Sequence, residues 1–195
     1  ACMHLIYARF YTKFLRDLKL LDFDEPFTRL FHQGMLHGED GEKKSKSIGN
    51  IINPLEIIDK YSSDSLRFAL ISFASPDSDT NWDEKVINGS YKFLNKVVEI
   101  FDKIKVGKSD AKTESKLNKI IKEVTNQIEN FKYNLAIIKI RELFNSLPEE
   151  TSKDVLEKIL KLLHPFCPHI TEELWEKIGN KIFISLSEWP IAEEK

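Results

Sequence analysis

Apolar residues recur at three- and four-residue intervals along most of this chain, which predicts a largely helical protein. Leu5, Ile6, Phe10, Phe14 and Leu15 outline an amphipathic helix from about Met3 to Leu18, expected to lie against a core, and Pro26 ends any continuation. The run Leu30-Phe31-His32-Gln33-Gly34-Met35-Leu36 has no helical period and is expected to be a buried strand. Asn53-Pro54, a cap followed by a first-turn proline, opens a short helix to Lys60. A second helix is predicted over Ser62 to Ala74, with Leu66, Phe68, Ala69, Leu70 and Phe73 largely buried.

The turn-rich stretch Pro76 to Thr80 is a joint, and it sets a domain boundary at about Trp82. A long helix follows from Asp83 to about Lys105. Val86, Phe93, Val97, Ile100 and Ile104 form its apolar face, and Lys85, Lys92, Lys96 and Lys103 share a second one. That lysine stripe is an ordinary solvated surface or a rail for RNA phosphates. After a polar linker, Val106 to Thr113, helices are predicted over Glu114–Glu129, Asn134–Asn145, Ser152–Leu163 and Pro168–Ile178. The apolar set expected for the second of these is Leu135, Ile138, Ile140, Leu143 and Phe144, and Phe183-Ile184-Ser185 is expected to be a short extended piece. Short polar connections imply antiparallel neighbours in a bundle.

Composition narrows the class without naming it. At 195 residues and 42% hydrophobic content, the chain can bury one good core or two small ones. Its 29 basic and 31 acidic residues predict no strong overall field, so any nucleic-acid contact has to be a local stripe. Cys2 and Cys167 give neither a disulfide framework nor a Cys-x-x-Cys pair, which fits a reducing compartment. With no bilayer-length apolar run and no secretory pattern, a cytoplasmic protein away from membranes is expected. On the same expectation, the sequon Asn88-Gly89-Ser90 is a coincidence.

The chemistry is concentrated in Lys43-Lys44-Ser45-Lys46-Ser47-Ile48-Gly49-Asn50. Cations and hydroxyls in a glycine-ended loop between a strand and a helix suit a polyphosphate: ammonium groups neutralise it, hydroxyls donate to its oxygens, and glycine lets the backbone approach. No Gly-x-x-x-x-Gly-Lys-Ser/Thr pattern is present, which disfavours a P-loop enzyme. His164, Cys167 and His169 have a metal-like spacing, but prolines at 165 and 168 and the lack of a fourth ligand favour a proline-set corner, so no metal site is expected. Trp175 and Trp189 are expected to anchor the core or a joint.

The octamer resembles the Lys-Met-Ser-Lys-Ser-x-Gly-Asn signature of class I aminoacyl-tRNA synthetases, departing only at Lys44, where the family usually has methionine. Other segments are similar to the leucyl members of the leucine, isoleucine and valine subgroup. Ala1 to Phe10 resembles the tail of a Gly-Gly-x-Glu-His-Ala-x-x-His-Leu-x-Tyr-x-Arg-Phe segment, and Gln33-Gly34-Met35 resembles the strand before the signature loop. Phe73-Ala74-Ser75-Pro76 with Asn81-Trp82 and Tyr91 to Val97 resembles the passage from catalytic core to helical domain; Pro165 to Trp175 and Trp189-Pro190 resemble that domain's end.

The resemblance implies a mainly α fold: the second half of a Rossmann-type catalytic core over residues 1–82, then an anticodon-binding-type antiparallel bundle over 83–195. It implies ATP, accompanied by Mg2+, as a substrate, with Lys43 and Lys46 catalytic, Ser45 and Ser47 on phosphate oxygens, and Met35 and Leu36 at the adenine. His4 would face the amino acid pocket, and Lys85, Lys92, Lys96 and Lys103 the tRNA. The implied activity is that of a leucine–tRNA ligase fragment or subunit, inactive alone. Its partners would be leucine, leucine tRNA and, if the enzyme is split, a separate N-terminal half bearing the His-Ile-Gly-His motif that does not occur in this sequence. Alternatives are a synthetase-derived tRNA- or RNA-binding module without catalysis, a purely structural subunit of a split enzyme, and an isoleucyl- or valyl-type fragment.

Overall fold

The computed structural model describes residues 2–38, 41 and 52–193. It forms two compact units, Ala1–Gln33 and Gly34–Lys195, each described by itself.

The first unit is helix α1, Cys2–Asp17, followed by an irregular return segment. Lys19 ends the helix in a left-handed conformation, φ 60°, with the Leu20 amide donating to the Leu15 carbonyl and the Lys19 amide to that of Arg16. The return is tied back by charge: Arg9 donates through Nε and Nη2 to Glu25 at 2.7 Å each, Lys13 lies 3.3 Å from the same carboxylate, and Arg16 pairs with Asp17 and Asp24. The apolar stripe expected to pack on a core does not do so. Ile6, Phe10 and Phe14 are exposed, and Thr12 is the buried residue of this helix, because so short a stretch cannot enclose a core of its own.

The second unit begins with β1, Leu36–His37, which pairs in parallel with β2, Thr80–Asn81, in the register Leu36 to Thr80 and His37 to Asn81. Between them lie α2, Pro54–Tyr61, and α3, Ser63–Ser72. The expected buried strand over Leu30–Leu36 is thus corrected: it shortens to Leu36–His37, and Leu30, Phe31 and Met35 are irregular and exposed. An apolar run becomes a strand only where a neighbour supplies backbone partners, and β2 offers two residues.

The other elements are α4, Glu84–Lys103; β3, Lys105–Val106; α5, Ala111–Glu129; α6, Tyr133–Phe144; β4, Glu150–Thr151; α7, Lys153–Leu163; and α8, Pro168–Lys177. Helix starts follow local capping chemistry. Asn53, Asp83, Asp110 and Ser152 accept from the amides of Leu55, Lys85, Thr113 and Val155. β3, at the start of what reads as a linker, forms a second parallel pair with β4 between α6 and α7, and Ile184–Leu186 is a 3-10 turn rather than an extended piece. The strand pair depends on a distant partner and the turn is held by Glu172 accepting from the Ile184 amide, neither of which periodicity encodes.

One core joins α3 to the bundle through Phe68, Phe93, Leu94, Val97, Ile121, Ile140, Phe144, Leu156, Ile159 and Leu163; a smaller one gathers Ile57, Leu66, Ala69, Trp82 and Ile87. Leu70 of α3 and Leu135 and Ile138 of α6 are exposed, against expectation. Helix α6 is apolar almost all round, and neighbours select the face Ala136, Ile137, Ile140, Leu143 and Phe144. Where the bundle meets α3, the Arg141 guanidinium lies 5.1 Å from the Phe68 ring and 4.9 Å from that of Phe93, and burial lowers its pKa. Trp175 donates to the Ile182 carbonyl and Trp189 to Thr125 Oγ1, both at 2.8 Å, as anchors of the bundle's end.

The Glu25 cluster is testable by pH. The Arg9 hydrogen bonds, helped by Lys13, hold the Glu25 carboxyl below its ordinary 4.5, at about 2. A depressed carboxylate pKa means that the tie is complete above about pH 4.5 and is lost as pH falls toward 2. An NMR titration of Glu25 therefore has its midpoint near 2, and Arg9→Gln moves it toward 4.5; an unshifted midpoint in the parent chain contradicts the pairing.

Candidate functional site

The parallel strand–helix–helix–strand unit defines where a ligand belongs. In open parallel sheets, ligands bind beyond the carboxyl ends of the strands; in sequence, the lysine octamer follows β1 and precedes Asn53, the cap of α2. Lys43, Ser45, Lys46 and Ser47 themselves lie outside the described residues.

The anchor of β1 is built by a loop that sequence reasoning passed over. Gly34 donates to the Pro76 carbonyl at 2.7 Å, and a Cβ there would sit 2.1 Å from the Ser78 carbonyl oxygen, so only glycine allows this approach. One residue on, the Met35 amide donates to Asp79 Oδ1 at 2.7 Å, and the Met35 carbonyl accepts from the Thr80 amide at 3.0 Å. The His37 carbonyl accepts from Trp82 at 2.9 Å. The Met35 amide holds Asp79 below the usual carboxylate range, with a smaller contribution from His37, whose Nε2 lies 3.6 Å away. His37 Nδ1 is buried, with no hydrogen-bond partner among the described residues.

This geometry separates the two adenine candidates. Both backbone groups of Met35 are engaged toward β2, and the side chain is exposed. Strand alternation points the amide and carbonyl of Leu36 to the opposite edge of β1, where a planar heterocycle could be read by backbone groups.

His4 is in the first unit and is exposed. It lines a hollow of about 600 Å³ with Leu5, Ile6, Arg9, Glu25 and Phe27, so it is not a satisfied core histidine.

Lys85, Lys92, Lys96 and Lys103 are exposed and follow one face of α4 over about 27 Å. Lys96 donates to Asn145 Oδ1 at 2.8 Å, and Lys103 lies 3.7 Å from Glu99. Lys85, Lys92 and Lys96 have no carboxylate partner among the described residues, which leaves the stripe cationic up to Lys103. At the start of α4, Glu84 accepts from Lys60 at 2.6 Å and Tyr61 at 2.9 Å and so ties this helix to the end of α2.

The His164–His169 segment is a corner. The Leu163 carbonyl accepts from the Phe166 and Cys167 amides, His164 Nδ1 meets Thr171 Oγ1 at 2.7 Å, and His169 Nδ1 meets Asp64 Oδ1 at 2.8 Å. Burial lowers the His164 pKa and, far more strongly, raises that of the Cys167 thiol. Among the described residues, no cluster of three or more His, Cys, Asp or Glu side chains is placed to hold a metal ion.

Residues 4–83 match the family model for tRNA synthetases class I (I, L, M and V), and residues 110–195 match that for the anticodon-binding domain of tRNA ligase. The chain is 38% identical to the leucine–tRNA ligase of Thermotoga petrophila, covering 100% of this chain and 27% of that protein. It is 40% identical to the Mycoplasma mycoides enzyme, covering 98% and 24%. It spans about a quarter of the length of these curated relatives.

Among solved structures, a LeuRS–tRNA–LeuAMS ternary complex from Agrobacterium radiobacter K84 superimposes with a TM-score of 0.83 at 31% identity, covering 97% of this chain and 27% of that one. Mycobacterium tuberculosis methionyl-tRNA synthetase, at 17% identity and a TM-score of 0.62 over 88% of this chain and 42% of that one, shares the fold. The protein class is thus a class I tRNA synthetase, with part of the catalytic fold joined to a helical anticodon-binding-type domain. Within it, the chain belongs to the leucyl-tRNA synthetase family.

The close approach at Gly34 gives a direct test. Gly34→Ala drives a methyl group into the Ser78 carbonyl and lowers stability by about 1 to 3 kcal/mol, the usual cost of overpacking. Denaturant unfolding measures it. Wild-type stability, with unchanged amide shifts at Met35 and Thr80, would contradict the anchor.

Proposed function

We propose that this chain is the part of a leucine–tRNA ligase that carries the polyphosphate loop and the tRNA-binding bundle. The observation that supports the reading is a chain whose sequence follows leucyl enzymes along its whole length, with the lysine octamer standing in that sequence between β1 and the Asn53-capped α2.

In the reaction, a leucine carboxylate oxygen attacks the α-phosphorus of ATP in line and pyrophosphate leaves, after which the leucyl group passes to a ribose hydroxyl of the terminal adenosine of leucine tRNA. Negative charge grows on the leaving group. Ammonium groups beside the β- and γ-phosphates favour the transition state over the ground state, the role assigned to Lys43 and Lys46. Ser45 and Ser47 donate to phosphate oxygens, Leu36 offers its backbone to adenine, and Mg2+ arrives with ATP as substrate.

Lys85, Lys92, Lys96 and Lys103 make phosphate contacts to tRNA, fitting a partner gripped locally by a nearly neutral protein. That the Agrobacterium relative was crystallised with tRNA and LeuAMS supports both ligand classes. The exposed apolar side chains of α1 suit a covering by the preceding catalytic half, on the same or a separate polypeptide, and His4 would then face the leucine pocket. The setting is the cytoplasm.

The test is Lys46→Ala in the enzyme containing this segment. Losing one charge-assisted contact to the leaving group costs about 2 to 4 kcal/mol in the barrier, so leucine-dependent ATP–pyrophosphate exchange falls by orders of magnitude. Unchanged exchange defeats the catalytic role and leaves the RNA-binding alternative.

A further inference from the structure

Helix α8 lacks a cap of its own. Its cap position, Cys167, makes no side-chain hydrogen bond to the first turn, whereas α5 and α7 are capped by their own Asp110 and Ser152. The missing acceptor comes from another helix more than 100 residues earlier. Asp64, in the first turn of α3, accepts from the Ile170 amide through Oδ2 at 2.8 Å and meets His169 Nδ1 through Oδ1 at 2.8 Å.

The arrangement is held from both sides. The Asp64 side chain is 5% exposed, while that of His169 is 72% exposed, so the helix end rather than the imidazole dominates the carboxylate's surroundings. Ser63 Oγ approaches His169 Nδ1 at 3.4 Å, and Arg67 donates to the Pro165 carbonyl at 3.4 Å. Behind Asp64, Ser62 adopts φ 106° and caps α3 through the Ser65 amide.

Helix α3 follows α2 directly, and α2 starts beside the lysine octamer; α8 belongs to the segment matching the anticodon-binding domain. We propose that Asp64 is a positioning residue that caps α8 from α3 and thereby fixes the angle between the helices following the polyphosphate loop and the tRNA-binding bundle. A two-oxygen acceptor with both oxygens engaged allows one orientation of the helix end, whereas apolar packing alone permits small rolls. The consequence for tRNA rests on the ligase reading above; the mechanical claim does not.

Two measurements separate them. In the 195-residue chain with Cys2→Ser, spin labels at Asp59→Cys on α2 and Glu173→Cys on α8 report the angle through the width of their distance distribution; Cys167 is buried and stays unlabelled. Asp64→Ala broadens that distribution about twofold, Asp64→Asn, which keeps one acceptor oxygen, broadens it less, and Ser152→Ala, which removes the α7 cap and a contact from Ser109 but nothing on α2, α3 or α8, leaves it narrow. If Asp64→Ala does not fold, the Asp64→Asn width decides.

In the ligase, Asp64→Asn raises KM for tRNA about tenfold and changes ATP–pyrophosphate exchange by less than about twofold. A distribution as narrow as in the parent chain, or equal broadening in Ser152→Ala, overturns the joint. Broadening with an unchanged KM for tRNA overturns its role in presenting tRNA. A parent enzyme without leucylation overturns the ligase reading and leaves the distance result standing.

Discussion

Two residues of parallel pairing anchor the unit that begins at Gly34. Leu36 and His37 pair with Thr80 and Asn81 across 44 residues of sequence, and this pair brings the two ends of the α2–α3 segment together. So short a pairing does not hold by ladder bonds alone. It is fixed by Gly34 pressed against the Ser78 backbone, by Asp79 holding the Met35 amide, and by the small core of Ile57, Leu66, Ala69, Trp82 and Ile87 under α2 and α3.

From that point, order passes into the bundle through side chains on α3. Phe68 stacks on Phe93 at 5.3 Å between ring centres, Arg141 covers both rings, and Asp64 caps α8. Apolar contact supplies the bulk of the attraction at this joint, and the polar contacts at its rim supply direction. The lysines of α4 run outward from the same place, so a nucleic acid resting on them would be held in register with β1 only as well as this joint is stiff.

Much of this was legible in the sequence. Helices with a cap residue and a single apolar stripe, such as α7 with Ser152 and its Val155, Leu156, Ile159 and Leu163 face, emerged close to their expected bounds. The family and the proline-set corner at 165–168 were readable too. What failed did so for two reasons. Where apolar residues surround a helix, as in α6, periodicity cannot choose the buried face, and Leu135 and Ile138 turned outward. Where structure depends on a distant partner, no local pattern reports it: the apolar run Leu30–Met35 stays irregular because β2 offers only two residues, and Asp79 and Asp64 read as ordinary loop and first-turn acids until Met35 and Ile170 are placed beside them.

The central claim is that Lys43 and Lys46, carried by the loop leaving β1, stand beside the phosphates of ATP. An adenosine polyphosphate with a terminal pyridoxal aldehyde, reduced onto the ligase and mapped by mass spectrometry, measures this directly. The account predicts modification concentrated at Lys43 and Lys46 and suppressed by ATP. Modification spread over Lys60, Lys85 and Lys92 and indifferent to ATP would contradict it.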